Sequence, residues 1–254
     1  MAETALITGA SSGLGAEYAR QLARQGHALV LVARDADALE GLATDLRESY
    51  GVAVEVLACD LLTTEGVARV VSRLSNDAQP IDLLINNAGF GLALDFERND
   101  VEDEARHLRI HNEVPMRLTH AALQGMLERG RGQILNVASV AAFIPRSTYS
   151  AAKQWLVLFS RWANARYAPK GVTVTAVCPG FTHTNFHERL GLPPGKEGVP
   201  RWMWLNAKTV VSESLRDARR GKAVSVPSFR YKAIVQLTKV LPQGFLARAG
   251  ERGR

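Results

Sequence analysis

Cysteine is scarce in this chain. Only Cys59 and Cys178 occur among 254 residues, far apart and each within an apolar stretch. There is no Cys-x-x-Cys and no cluster of histidines, so neither a disulfide framework nor a metal site is expected, and a reducing cytoplasm is the expected compartment. Long apolar runs are missing too: none approaches the roughly 20 residues that span a bilayer. No signal peptide is expected ahead of the first strand, because Ala5-Leu6-Ile7 already reads as part of the fold. Basic patches interleaved with aromatics are absent, which argues against a nucleic-acid partner. The net charge of +6 is not spread evenly. Residues 228–254 carry six basic side chains against one acid, Glu251, so the charge belongs to a basic C-terminal extension on an otherwise near-neutral body. Internal repeats and low-complexity segments are also lacking.

What is present is a regular alternation of short apolar runs and longer mixed ones. Apolar runs at 4–8, 27–33, 52–58, 81–85, 133–137 and 172–177 read as strands, with a seventh at 223–226. Helices are predicted between them, from the glycine turn to about Gln25, at 36–50, at 64–74, at 101–128 with a bend at Pro115, and at 149–167. Near-continuous apolar strands alternating with helices predict one α/β domain over residues 1–254, a doubly wound parallel sheet of six to seven strands with helices on both faces. Residues 182–205 break the rhythm with Gly191, Pro193, Pro194, Gly195, Gly198 and Pro200. They follow strand six at its C-terminal end, where open parallel sheets place ligands, and are expected to form a lid over a substrate.

Two features carry chemistry. Gly9, Gly13 and Gly15 lie between the first strand and the first helix. There they permit a tight turn and let a pyrophosphate reach the unpaired N–H groups and positive dipole of the helix N-terminus. Further on, Tyr149 and Lys153 lie one helical turn apart on a shared face, with Ser139 ten residues upstream of the tyrosine. A free phenol has a pKa of about 10, and a nearby cation favours its phenolate, which suits proton transfer near neutrality. A dinucleotide turn combined with a tunable phenol points to a nicotinamide-dependent oxidoreductase acting on carbonyls or alcohols.

Thr8-Gly-Ala-Ser-Ser-Gly-Leu-Gly15, Asp60, Asn86-Asn-Ala-Gly89, Asn112, Ser139, Tyr149-x-x-x-Lys153 and Pro179-Gly180 together resemble the short-chain dehydrogenase/reductase family over about residues 4–185, a family with the Rossmann fold. The resemblance implies that Tyr149 is the general acid/base, that Lys153 lowers its pKa and holds the nicotinamide ribose, that Ser139 binds the substrate oxygen, and that Asn112 holds a water relaying protons to Lys153. It also implies that Gly9, Ser11, Ser12, Gly13, Leu14 and Gly15 cradle the pyrophosphate, and that Asp60 and Leu61 meet the adenine. Asn86, Ala88 and Gly89 are expected to pass close to the cofactor, and Pro179, Gly180, Thr182 and Thr184 to close over the nicotinamide. Family members pair through the two long helices, so a homodimer or homotetramer is expected.

Ala33-Arg34 ends the second strand where NAD-preferring relatives place an acid; an arginine can pair with a 2′-phosphate, while Asp35 is expected to start the next helix. NADP(H) is therefore expected over NAD(H). The Ser139-to-Tyr149 loop is shorter than usual in the family, which suggests a wide mouth. With Phe143, Phe181, Phe186 and Leu190 as candidate pocket residues, the expected substrate is a bulky, lipophilic small molecule: a fatty-acyl, steroid-like, terpenoid or aromatic ketone. A 3-oxoacyl-thioester reductase and a non-catalytic NADP(H)-sensing protein are the alternatives. Residues 231–241 form an amphipathic segment, read as docking on its own domain or a partner in preference to an anionic membrane.

Overall fold

The computed structural model describes residues 2–93, 95–184, 200–238 and 241. Residues 185–199, the greater part of the expected lid with Phe186 and Leu190, and all of residues 242–254 lie outside the described residues. The strands are β1 (Thr4–Thr8), β2 (Ala28–Ala33), β3 (Val54–Ala58), β4 (Leu83–Asn86), β5 (Gly132–Val137), β6 (Val172–Val177) and β7 (Val224–Ser225). They form one sheet in the order β3-β2-β1-β4-β5-β6-β7, parallel throughout. The chain first winds outward from β1 to β3, then returns to place β4 on the other side of β1. The order thus reverses between β1 and β4, the point at which doubly wound sheets open a crevice for ligands.

Side chains along each strand alternate between two cores, as the period of two requires. Ala5, Ile7, Leu29 and Leu31 face one core, which they share with Leu22 of α1 (Gly13–Arg24) and Leu39 and Leu46 of α2 (Ala36–Tyr50). Leu6, Val30 and Val32 face the other, with Val70 of α3 (Thr64–Leu74) and Leu118 of α5 (Val114–Glu128). Burial on both faces explains why these strands read as continuous apolar runs. A third cluster lies over β6 and β7, where Leu156 and Val157 of α6 (Thr148–Tyr167) meet Tyr231 and Val235 of α8 (Phe229–Thr238). The amphipathic C-terminal segment therefore docks on its own domain. No helix among the described residues is long and apolar enough to cross a membrane.

Two expectations are corrected. The helix expected at 101–128 is two helices, α4 (Val101–Leu108) and α5, joined by a π-helical turn at Arg109–Glu113. Pro115 causes no bend: it sits in the first turn of α5, where its missing N–H costs little. The stretch between the expected lid and β7, for which no element was expected, contains α7 (Ala207–Arg219), capped by Asn206, whose Oδ1 accepts the Lys208 N–H at 2.8 Å. α7 packs on α1 through a buried hydrogen bond of 2.6 Å between Tyr18 and Ser214.

Beneath the ligand edge of the sheet lies a buried polar network. Asn86 donates to Asn136 Oδ1 at 2.8 Å and to Thr119 at 3.3 Å, Asn136 donates to Ser160 at 2.9 Å, and Ser160 donates to the Leu156 carbonyl at 2.7 Å. It ties β4, β5, α5 and α6 in one register, which fixes where the ends of those elements point.

Candidate active site

The first part of the site is the turn from β1 into α1. Gly9 and Gly13 adopt left-handed backbone, with φ of 65° and 56°. Gly15 lies so close to the Gly9 carbonyl that a Cβ there would collide with it. The neighbouring strand end holds this turn. Asn87 donates from Nδ2 to the Thr8 and Gly9 carbonyls at 3.0 and 3.2 Å, and the backbone N–H groups of Asn87 and Ala88 both donate to Thr8 Oγ1 at 3.0 Å. Asn86 is not placed at the turn. It is buried in the polar network between sheet and helices, and its neighbour Asn87 makes the contacts with the glycines. Alternation along the strand end separates the two side chains.

The turn fits a dinucleotide. Side-chain oxygens cap the first turns of α2, α3, α4, α6 and α7, whereas Ser12 makes no side-chain cap bond to α1. An anion is thus offered the N–H groups and positive dipole end of this helix. Ser11, Ser12 and Leu14 are half-buried along the turn. At the end of β2 Arg34 is exposed, while Asp35 is occupied as the cap of α2, accepting the Ala38 N–H at 3.0 Å. Asp60 and the buried Leu61 follow β3, and Asp60 Oδ1 accepts the Leu62 N–H at 2.9 Å.

The second part grows from β5 and α6. Ser139 leaves β5 in extended backbone; its hydroxyl accepts the Ala141 N–H at 3.1 Å and is also hydrogen-bonded to the Tyr149 phenol. The serine therefore caps a short turn and meets the tyrosine at once. Ser147 caps α6, which brings Tyr149 and Lys153 onto its inner face. Lys153 is 5% exposed, donates from Nζ to the Val137 carbonyl at 2.6 Å, and lies 5.6 Å from the Tyr149 ring centroid. The π-helical turn carries Asn112, whose Nδ2 donates to the Ala152 carbonyl at 2.9 Å; its buried Oδ1 has no hydrogen-bond partner among the described residues. An extra backbone residue in a helix at this place is a common device for re-aiming a side chain.

Burial sets the charges. It pushes the Tyr149 phenol up to about 12, against the lowering effect of the Ser139 hydrogen bond. It pulls the Lys153 ammonium down to about 7. The expected lowering of the tyrosine pKa by the lysine is therefore not found in this structure, because the lysine is itself desolvated and bonded to a carbonyl. The Cys178 thiol, pushed up to about 12 by burial, stays neutral beside them.

The motifs did not single out His107 and His111. Their rings lie 5.8 and 5.5 Å from that of Tyr149 and pack on Phe90, and His111 Nε2 meets the Phe90 carbonyl at 2.7 Å. Burial, and after it the nearby Lys153, lowers His107 to about 4 and holds His111 well below the usual range. Both are neutral near pH 7, so they wall the tyrosine without adding charge. Their spacing of four, ending on the residue just before Asn112, was the available signal.

Beyond β6, Pro179 and Gly180 lead into Phe181, Thr182 and Thr184. Thr182 is buried, and the Thr184 side chain lies 3.3 Å from where a Cβ on Gly13 would stand, so this turn reaches back to the glycine turn. Gly89 is pressed against the His111 ring. Phe143 and Phe181 are half-buried in the third core cluster. Phe143 also lines a cavity of about 220 Å³ with Ile144, Pro145, Arg146 and Gln154, beside Tyr149 but not lined by it.

A family model described as short chain dehydrogenase matches residues 3–193. A short-chain dehydrogenase from Sphingobium yanoikuyae in complex with NADPH superimposes with a TM-score of 0.85 at 36% identity, covering 95% of this chain and 97% of that one. The bulky-bulky ketone specific alcohol dehydrogenase from Comamonas testosteroni does so with a TM-score of 0.80 at 33% identity, covering 95% of each chain. A very-long-chain 3-oxoacyl-CoA reductase from Anas platyrhynchos is 33% identical over 187 residues, 71% of this chain and only 60% of that relative's own length.

Proposed function

We propose that this chain, which belongs to the short-chain dehydrogenase family, is an NADPH-dependent reductase of bulky, lipophilic ketones. The observation that carries the reading is the Tyr149 phenol, hydrogen-bonded to Ser139 and packed 5.6 Å below the Lys153 ammonium. The family's nicotinamide cofactor would lie along Gly9 to Gly15, with its adenine toward Asp60 and its nicotinamide under residues 179–184. When bound, it supplies the hydride that reaches the carbonyl carbon. Tyr149 gives its proton to the carbonyl oxygen, and Ser139 donates a hydrogen bond to that same oxygen. Lys153 stabilises the phenolate this leaves, and Asn112 Oδ1 offers an acceptor on the route that returns a proton from solvent.

Arg34, exposed where an acid would repel a 2′-phosphate, supports NADP(H) over NAD(H). The short Ser139–Tyr149 loop supports a wide substrate mouth, as does the likeness to the bulky-bulky ketone specific alcohol dehydrogenase. The likeness to the 3-oxoacyl-CoA reductase favours a second reading, a fatty 3-oxoacyl thioester. Trp155, Leu158 and Trp162 expose an apolar stripe on α6, and Leu108 and Met116 do so on α4 and α5. These faces support pairing of two copies through the long helices.

The test is loss of NADPH absorbance, with NADH in parallel, against bulky ketones, small polar ketones and 3-oxoacyl thioesters. Bulky ketones should be turned over with NADPH preferred, and Arg34→Ala should cut that preference roughly tenfold, the worth of one charge-assisted hydrogen bond. Turnover confined to small polar ketones defeats the substrate reading; preference for NADH defeats the cofactor reading.

A further inference from the structure

The turn after β6 is held from behind. Leu205 donates its N–H to the Phe181 carbonyl at 2.8 Å, and His183 donates to the Leu205 carbonyl at 3.1 Å, so residues 181–183 pair with the chain just beyond the short helical turn Arg201–Met203. Trp204 packs on this ladder, with its ring 4.8 Å from His183 and 5.8 Å from Phe181. Helix α8 supplies the support on the far side. Tyr231 is 2% exposed, and its hydroxyl accepts the Phe181 N–H at 3.2 Å while donating to the Met203 carbonyl at 2.9 Å. Its ring lies against Gly180 so tightly that a Cβ there would collide with it. Arg230, its neighbour on α8, donates to the Trp202 carbonyl. One phenol thus fastens two loop segments, and only glycine at position 180 leaves room for it.

We propose that Tyr231 is a positioning residue: through its hydroxyl, α8 clamps the turn at 180–184 against the nicotinamide end of the dinucleotide site and so sets cofactor affinity and ketone KM. The proposal rests on reading that turn as the cover of the nicotinamide. Tyr231 bonds the Phe181 N–H and the Met203 carbonyl and packs its ring on Gly180, so its effect reaches the chemistry through the backbone of Gly180 and Phe181. Burial pushes its phenol up from the usual value, so it remains a donor across the working range.

The experiment compares wild type, Tyr231→Phe, Gly180→Ala and Val235→Ala by NADPH titration, thermal melting and steady-state kinetics. Val235 is buried on the same face of α8 in the same core cluster and serves as the control for helix packing. Tyr231→Phe should weaken NADPH binding about tenfold, about 1.4 kcal/mol, and raise ketone KM at saturating NADPH with less change in kcat. Gly180→Ala, which pushes the ring away, should reproduce the loss. Val235→Ala should lower Tm at least as much as Tyr231→Phe while leaving NADPH affinity within about twofold, as expected when a core methyl pair is lost away from the turn. Unchanged affinity in Tyr231→Phe, or losses in all variants that simply follow Tm, overturns the clamp. Wild type that binds NADPH but reduces no carbonyl defeats the reductase reading and leaves the affinity comparison decisive. Wild type that binds neither NADPH nor NADH overturns both.

Discussion

Replacing Tyr149 with phenylalanine will lower kcat for ketone reduction by about 10³-fold while leaving NADPH affinity within about threefold. General acid catalysis by a positioned side chain contributes on the order of 10²–10⁴, and Phe keeps the ring that packs on His107 and His111. The variant therefore removes one proton and one hydrogen bond to Ser139 and leaves the wall of the site standing. Single-turnover loss of NADPH absorbance beside a binding titration separates the two quantities. More than about a tenth of wild-type kcat would mean that another group delivers the proton.

The same site predicts opposite pH dependences for the two directions. In the free enzyme the Tyr149 phenol is pushed up to about 12, so the acid form needed for reduction is present throughout the accessible range. Lys153 titrates near neutrality, at about 7, and loses its charge as pH rises. Reductive kcat/KM, which reports the free enzyme, should fall as pH climbs through about 7, whereas alcohol oxidation, which needs the phenolate, should rise with pH.

The sheet was legible because both of its faces are buried. Ala5, Leu6 and Ile7 must all be apolar when alternate side chains enter two cores, and the same holds from Leu29 to Val32. Asp35 was read correctly as the start of a helix, since a short acid before an Ala- and Leu-rich run caps it. α7 escaped notice because its buried residues, Val210, Val211, Ser214, Leu215, Asp217 and Ala218, are small or polar as often as larger apolar ones, and it follows a Gly- and Pro-rich stretch that suggests loop. The π-helical turn leaves no compositional mark: Arg109–Glu113 reads as ordinary helix, and Pro115 drew the expected break to the wrong place. At the site, the motifs identified Ser139, Tyr149 and Lys153, which the fold brings together. The division of labour between Asn86 and Asn87 depends on which way each points at a strand end, and two identical adjacent residues cannot reveal that. The burial that raises the tyrosine and lowers the lysine is likewise a property of packing, not of spacing.

Lys153→Met should abolish turnover to below about a hundredth of wild type and yet make the cofactor-free protein more stable at pH 7. The lysine is held at about 7 in the folded chain against an ordinary value of 10.5. At about 1.4 kcal/mol per pKa unit, keeping a protonatable amine in this position costs a few kcal/mol. The sign follows from linkage. Between about 7 and 10.5 the unfolded chain holds the proton that the folded chain has released, so wild-type stability rises with pH across that window, and the full cost is present below about 7. Methionine removes the cost and fills the same apolar volume. Against this stands the Val137 carbonyl, which loses its 2.6 Å donor and is left unsatisfied at roughly 1–3 kcal/mol. The balance favours the variant by about 1–2 kcal/mol at neutral pH, or roughly 3–6 °C in Tm for a chain of this size. Near pH 10.5 the wild-type amine is neutral in the folded chain and half neutral in the unfolded one, so less than about 1 kcal/mol of the cost is left, and the order should reverse because the orphaned carbonyl outweighs it. Melting curves of the two proteins at pH 7 and pH 10.5 decide the matter. A variant less stable than wild type at both values would show that Lys153 is accommodated as a charge, and a buried cation tolerated without cost would remove the reason for its titration near neutrality. A gain at pH 7 that disappears in alkali would mean that the fold carries a strained amine at the point where the phenol needs a cation, stability having been given up for proton transfer.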